Sequence, residues 1–186
     1  MGDPEWLEAL RRNSGLSLTR DGVWMYGGQP VENPRVQAMF HRGVAVRDDG
    51  EATLSVGRMW AYVKTEGPAF FVRAVRGIAE GAPVAALLGE REVPLERVKV
   101  AGWGPDDRLY LWFLRLDGKR AIATAAVCLR EAHQTLCERI EEDGAGYVLD
   151  LGGDRRTALV MLGAIPSASA PPPAAGVPGE SPQSEA

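Results

Sequence analysis

An α+β fold of two similar antiparallel-sheet-plus-helix units, ending in a disordered tail, is what this sequence predicts. Three observations carry the expectation. Short alternating apolar runs are separated by Asp-Gly and Gly-Gly turn signals along most of the chain. A few segments show apolar residues at helical spacing instead. The order strand, glycine, helix, Asp-Gly, strand, glycine, strand then occurs twice, around Trp24 and around Trp112. The expected divisions are a helix in residues 1–15, a first unit in 16–76, a second in 77–163 and the tail in 164–186.

Taken in order, Asp3-Pro4 and EWLEALRRN read as a short helix, with Asp3 as cap and Trp6, Leu7 and Leu10 on one face. Leu16–Arg20 alternates as a strand, Asp21-Gly22 suits a two-residue hairpin turn, and Val23–Tyr26 returns. Asn33-Pro34 caps and opens a helix whose buried stripe is Val36, Met39 and Phe40, stopped by Gly43. Val44–Arg47 and Ala52–Val56 are strands around Asp48-Asp49-Gly50. Gly57 permits a bend before a strand at Arg58–Lys64, and Ala69–Arg76 follows the turn at Gly67-Pro68.

Pro83–Leu88 and Arg91–Leu95 flank Gly89-Glu90, a second two-residue turn. Arg97–Ala101 is a short strand and Gly102–Asp107 a loop by composition. Arg108–Leu116 is apolar on both faces, as expected of a central strand covered on both sides. Ile122, Ala126, Leu129, Ala132, Leu136 and Ile140 recur at three and four, predicting one long helix over roughly Arg120–Glu142. Tyr147–Asp150 and Thr157–Leu162 are the last strands, around Gly152-Gly153. From Ala164, Pro, Ala, Ser and Gly leave almost nothing to bury.

Composition excludes several classes of function. At 186 residues, with 45% hydrophobic and 25% charged residues, the chain is that of an ordinary globular protein. A net charge of -4 lacks the basic excess of a nucleic-acid binder. No apolar run approaches the ~18–20 residues of a membrane helix, and the charged N-terminus has no signal-peptide core. Trp6 stands where a myristoylation signal wants Ser or Thr. The expected location is the cytoplasm. Cys128 and Cys137 fall in the predicted long helix on opposite faces, and so read as two reduced thiols.

Candidate chemistry is sparse. The strand Arg58–Lys64 places Arg58, Trp60, Tyr62 and Lys64 on one face, two aromatics between two cations. Such a face suits an anionic ligand or a protein surface; the plainer reading is aromatics packed under a helix with charged ends in solvent. His133, Cys137 and Glu141 share a side of the predicted long helix, a partial metal set that lacks further convergent ligands. Acidic pairs at Asp48-Asp49, Asp106-Asp107 and Glu141-Glu142-Asp143 sit in or beside turns, where Asp serves local hydrogen bonding. Neither a phosphate loop nor a nucleophile elbow is present, and no catalytic residue, metal or cofactor is assigned. His41 and His133 are the first residues to test for catalysis.

Asp21-Gly22-x-Trp24-x-Tyr26, Gly28-x-Pro30-Val31-x-x-Pro34, Phe40 and Asp48-Asp49-Gly50 resemble a bacterial family, domain-of-unknown-function twelve-eighty-five. GPAFFV at Gly67–Val72 and LGGDRRTAL at Leu151–Leu159 extend the resemblance over roughly residues 16–162. Where the family has a Thr-Pro-Val-Glu-Lys-like stretch, this chain reads Ser55-Val56-Gly57-Arg58-Met59. A second uncharacterised family, found also in eukaryotes and associated there with mitochondria, has a similar layout and is the rival. The resemblance implies a two-unit α+β fold of repeated motifs and a part in signalling, with no enzymatic activity. The expected function is a non-catalytic module binding a small molecule or protein. The alternatives are a small enzyme or a structural subunit of a homo-oligomer.

Overall fold

The computed structural model describes residues 4–114, 116, 123–144, 146–152 and 154–174. Its helices are α1 (Glu5–Arg12), α2 (Pro34–Gly43) and α3 (Arg130–Cys137). The early strands are β1 (Leu16–Leu18), β2 (Trp24–Tyr26), β3 (Gln29–Pro30), β4 (Val44–Val46), β5 (Ala52–Val56) and β6 (Met59–Thr65). Then come β7 (Phe70–Arg76), β8 (Val84–Leu87), β9 (Arg91–Pro94), β10 (Val98–Trp103) and β11 (Leu109–Leu114). The last are β12 (Ala123–Cys128), β13 (Ile140–Asp143), β14 (Gly146–Gly152) and β15 (Arg155–Met161).

Two mixed sheets result, giving the expected α+β fold. The six-stranded sheet runs β3-β2-β1-β6-β5-β4, and the nine-stranded one β13-β14-β15-β10-β11-β12-β7-β8-β9. Their order repeats. In the first, β1 and β2 pair antiparallel, α2 follows, and the meander β4-β5-β6 returns β6 parallel to β1. In the second, β10 and β11 pair antiparallel, α3 follows β12, and β13-β14-β15 returns β15 parallel to β10. Trp24 and Trp112 lie on the equivalent second strands, and both are fully buried. His41 and His133 lie on the equivalent helices. The strand β7, which the sequence assigns to the first unit, is hydrogen-bonded to β12 in the second sheet.

The predicted long helix is the main correction. Its first part, Ala123–Cys128, is a strand buried at every residue, antiparallel to β11 and parallel to β7. A strand covered on both faces shows a continuous run of small apolar residues, which periodicity cannot separate from a buried helix. Only Ala132 and Leu136 remain as the buried stripe of the short α3, and Ile140 belongs to β13. Leu129, its N-cap, offers no side-chain cap, so no helix-start signal marked the break. Arg120 and Ile122, like the Asp117-Gly118 turn, lie outside the described residues. Cys128 and Cys137 therefore sit on a strand and a helix, and both are free thiols.

Other elements follow their sequence signals closely. Asn33 caps α2, its Oδ1 accepting from Arg35 N at 3.0 Å and Val36 N at 3.4 Å. The buried residue of α2 is His41, whereas Met39 is exposed. Gly43 is the last residue of α2, and it is glycine because the backbone of β5 passes so close that a Cβ would overlap the Ser55 carbonyl. The first hairpin has a three-residue loop instead of the expected two: Gly22 N donates to Thr19 O at 3.1 Å and Gly22 takes φ 81°. Leu88-Gly89-Glu90 is likewise a three-residue connection, since Leu87 pairs with Arg91. As expected, β11 is the middle strand of its sheet and is buried from Leu109 to Phe113.

The segment expected to be disordered from Ala164 is packed over its first part. Pro166 and Ala168 are buried, Ile165 joins the core, and Trp112 Nε1 donates to Ala170 O at 3.0 Å. This strap touches the first sheet at Gly50, against Ser169, while holding a tryptophan of the second. Residues 175–186 of the expected tail, Gly153 of the closing turn and Asp3, the expected cap of α1, lie outside the described residues. Among the described residues no helix is long and apolar enough to cross a membrane.

Candidate functional site

The face singled out by sequence is built from β6 and its turn. Val56 pairs with Met59, so Gly57-Arg58 is a two-residue hairpin turn and Arg58 precedes the strand instead of opening it. Trp60, Tyr62 and Lys64 do share a face by alternation. The Trp60 and Tyr62 rings meet edge to face, 5.2 Å between centroids.

The cations stacked on these rings come from elsewhere. Arg11 lies 4.1 Å from the Trp60 centroid and Arg12 4.1 Å from that of Tyr62, both brought by α1. Arg47 of the β4–β5 loop approaches both rings at 5.8 and 5.6 Å. Arg12 also forms a two-pronged bond to Glu51, at 2.8 and 3.1 Å, and a 3.2 Å pair with Glu8. Tyr62 hydrogen-bonds Glu8, which together with desolvation holds its phenol above the ordinary pKa. Thus α1 is held to β6 mainly by charge and stacking. None of its residues is buried.

Beside this contact lies a groove of about 480 Å³ between α1, α2 and the six-stranded sheet. Leu7, Leu10, Leu16, Phe40, Leu54, Val56, Met59, Trp60 and Ala61 form its walls, and Arg11 and Arg58 are its charged members. Met59 and Leu10 are 76% and 63% exposed, and Trp6, one turn before Leu10, is 68% exposed. Large apolar groups so open to water mark an interaction surface when they are contiguous with a concavity. Arg58 is exposed and makes no hydrogen bond or ion pair among the described residues.

The four residues named from sequence are thereby divided. Arg58 and Trp60 line the apolar groove, while Tyr62 and Lys64 line a separate cleft with Arg12, Glu51, Ser167 and Ser169. Sequence reading missed Leu7, Leu10, Arg11 and Phe40 as companions of Trp60, because they arrive from two other elements. The one available signal was the apolar face of α1, which read as a packing face and is mostly exposed.

The remaining candidates are occupied by the fold. His41 packs between Trp24 and Phe71, ring centroids 5.7 and 5.8 Å away, and its Nε2 donates to Gly22 O at 2.9 Å. Burial lowers its pKa to about 4, so it is neutral at pH 7. His133 Nδ1 accepts from Leu109 N at 3.3 Å, and its ring packs on Trp103 at 5.2 Å. Each helix histidine thus bonds the backbone in or beside the first hairpin loop of its own unit. Those loops are tied together by Arg108, which binds Asp21 and donates to Arg20 O at 2.9 Å.

The predicted His133–Cys137–Glu141 row dissolves, since Glu141 lies on β13 and pairs with Arg156 at 3.1 Å. No group of three metal-ligating side chains occurs among the described residues. Burial raises the Cys128 thiol far above its usual pKa, the opposite of an activated nucleophile. Two of the acidic groups sit in turns, where Asp49 accepts from Glu51 N at 3.0 Å and Asp107 from Trp103 Nε1 at 3.2 Å. Glu141-Glu142-Asp143, expected in or beside a turn, lies on strand β13 instead.

No family model matches the chain, and no curated protein matches it significantly. A crystal structure of a DUF1285 family protein from Silicibacter pomeroyi DSS-3 superposes with a TM-score of 0.58, at 16% identity, covering 77% of this chain and 78% of that one. A DUF1285 family protein from Shewanella baltica OS155 gives a TM-score of 0.45, also at 16% identity, over 63% of this chain and 85% of the other. The first likeness shows that this chain has the fold of a DUF1285 family protein. That structural neighbour comes from the bacterial family that the sequence resembles and not from the rival family.

Proposed function

We propose that the protein is a non-catalytic binding module whose recognition surface is the groove between α1 and the six-stranded sheet. The observation that carries this reading is the concavity itself: nine apolar residues line it, Leu10 and Met59 largely exposed, with Arg58, which has no partner among the described residues, also lining it. Binding is favoured over turnover because no carboxylate, histidine, cysteine or hydroxyl side chain is among the residues lining it. A groove with no acid, base or nucleophile can hold a ligand but offers nothing to transform it. In this reading the protein works in the cytoplasm. A part in signalling would follow from α1 responding to occupancy, since that helix has no buried anchor.

The test is a thermal-shift screen of metabolites and peptides followed by titration calorimetry. Saturable binding should weaken at least about tenfold in Trp60→Ala and in Leu10→Glu, with cooperative unfolding retained. A ligand bound equally well by both folded variants refutes this surface.

A further inference from the structure

We propose that the groove takes an amphipathic anion, an aliphatic or aromatic body ending in a single carboxylate that Arg58 receives. The inference rests on the groove being the binding surface and adds the chemistry of its occupant. Three observations select that chemistry. Apart from Arg11 and Arg58 the lining is apolar, from Leu7 of α1 to Ala61 of β6, so the body of the ligand must be apolar. The charge at the edge is of one sign, Arg11 and Arg58, with no acidic side chain among the residues lining the groove. Arg11 already stacks on Trp60 at 4.1 Å, whereas Arg58 has no partner among the described residues and presents its whole fork of donors.

Size agrees with a small molecule. Sites for such ligands span roughly 300–1,000 Å³, and this groove holds about 480 Å³. A carboxylate suits Arg58 because the planar guanidinium can meet both oxygens at once. The carboxylate at the groove mouth stays partly hydrated while the chain lies along Leu54, Val56 and Phe40, which avoids burying an unpaired charge.

The probes are ω-bromodecanoate and ω-bromodecanol, whose bromine quenches tryptophan fluorescence on contact. Saturable quenching by the carboxylate is expected, with the alcohol about tenfold weaker or more. Arg58→Gln, at an exposed turn where folding is not at stake, should bring the two probes to equal affinity. Added salt should weaken the carboxylate and leave the alcohol unchanged. Equal binding of both probes, unaltered by Arg58→Gln, would keep the groove as a binding surface and overturn the anion assignment. Failure of both probes to quench would remove the groove reading as well. Quenching that persists when both Trp60→Phe and Trp6→Phe are made would place the ligand elsewhere and refute the proposal. A ligand-free dimer dissociated by Leu10→Glu would put a second copy in the groove and equally refute it.

Discussion

Arg12 grips Glu51 with both guanidinium nitrogens, Nη1 to Oε1 at 2.8 Å and Nη2 to Oε2 at 3.1 Å. This pair joins the last turn of α1 to the strand side of the β4–β5 loop, thirty-nine residues away in sequence. Since α1 has no buried residue, the pair and the rings beneath it are its principal attachment. Charged contacts at an exposed site are screened by salt. Hydrogen exchange of the α1 amides should therefore quicken several-fold in Arg12→Ala, and in wild type on raising salt, while β11 and β12 amides do not change. Uniform protection of α1 in the variant would show that apolar contacts hold the helix.

His41 should make the protein acid-sensitive in a defined window. Its folded pKa, about 4, lies below its ordinary 6.5, so the unfolded chain binds more protons between those values. The stability from neutral, buried His41 is fully present above about pH 6.5 and is lost as pH falls toward 4. The loss should be about 3 kcal/mol, read from urea unfolding across that range. His41→Gln should flatten the slope, at some cost in absolute stability.

Gly43 is held glycine by proximity, with α2 ending against the backbone of β5. A methyl there would overlap the Ser55 carbonyl and reach Leu54 Cδ1 at 3.1 Å. Backbone cannot yield as a side chain can, so Gly43→Ala should cost about 2–3 kcal/mol and lower the Tm accordingly. The same change at Gly57 meets no atom within 4 Å, so only its φ of 60° opposes it and the loss should be nearer 1 kcal/mol.

The strap at 164–174 should contribute to stability through Trp112. Its indole donates to Ala170 O at 3.0 Å from a fully buried ring. Trp112→Phe, which removes this donor, should cost about 1–2 kcal/mol. A chain ending at Gly163 should lose more, about 2–4 kcal/mol, because Pro166 and Ala168 leave the core too. Equal stability of the truncated chain would show the strap to be passive.

Much of the fold was legible because its signals are local. The Asn33-Pro34 start of α2, the glycine turns and the two-faced apolar run of β11 each express a preference of neighbouring residues. Even the repeated order of elements could be read, since punctuation survives where identity does not. Ala123–Cys128 failed because alanine fits both a helix stripe and a doubly covered strand. The choice between them is made by β11 and β7 on either side.

The candidate site shows the same division more sharply. Alternation alone placed Trp60, Tyr62 and Lys64 on one face of a strand. Only the tertiary structure supplied Arg11 and Arg12 to those rings, moved Arg58 into a turn and opened an apolar groove beneath α1. The sequence by itself determined the secondary structure wherever residues close in the chain decide it. It also determined the doubled α+β plan. Which residues meet at a surface depends on contacts between elements tens of residues apart, and periodicity carries no record of those.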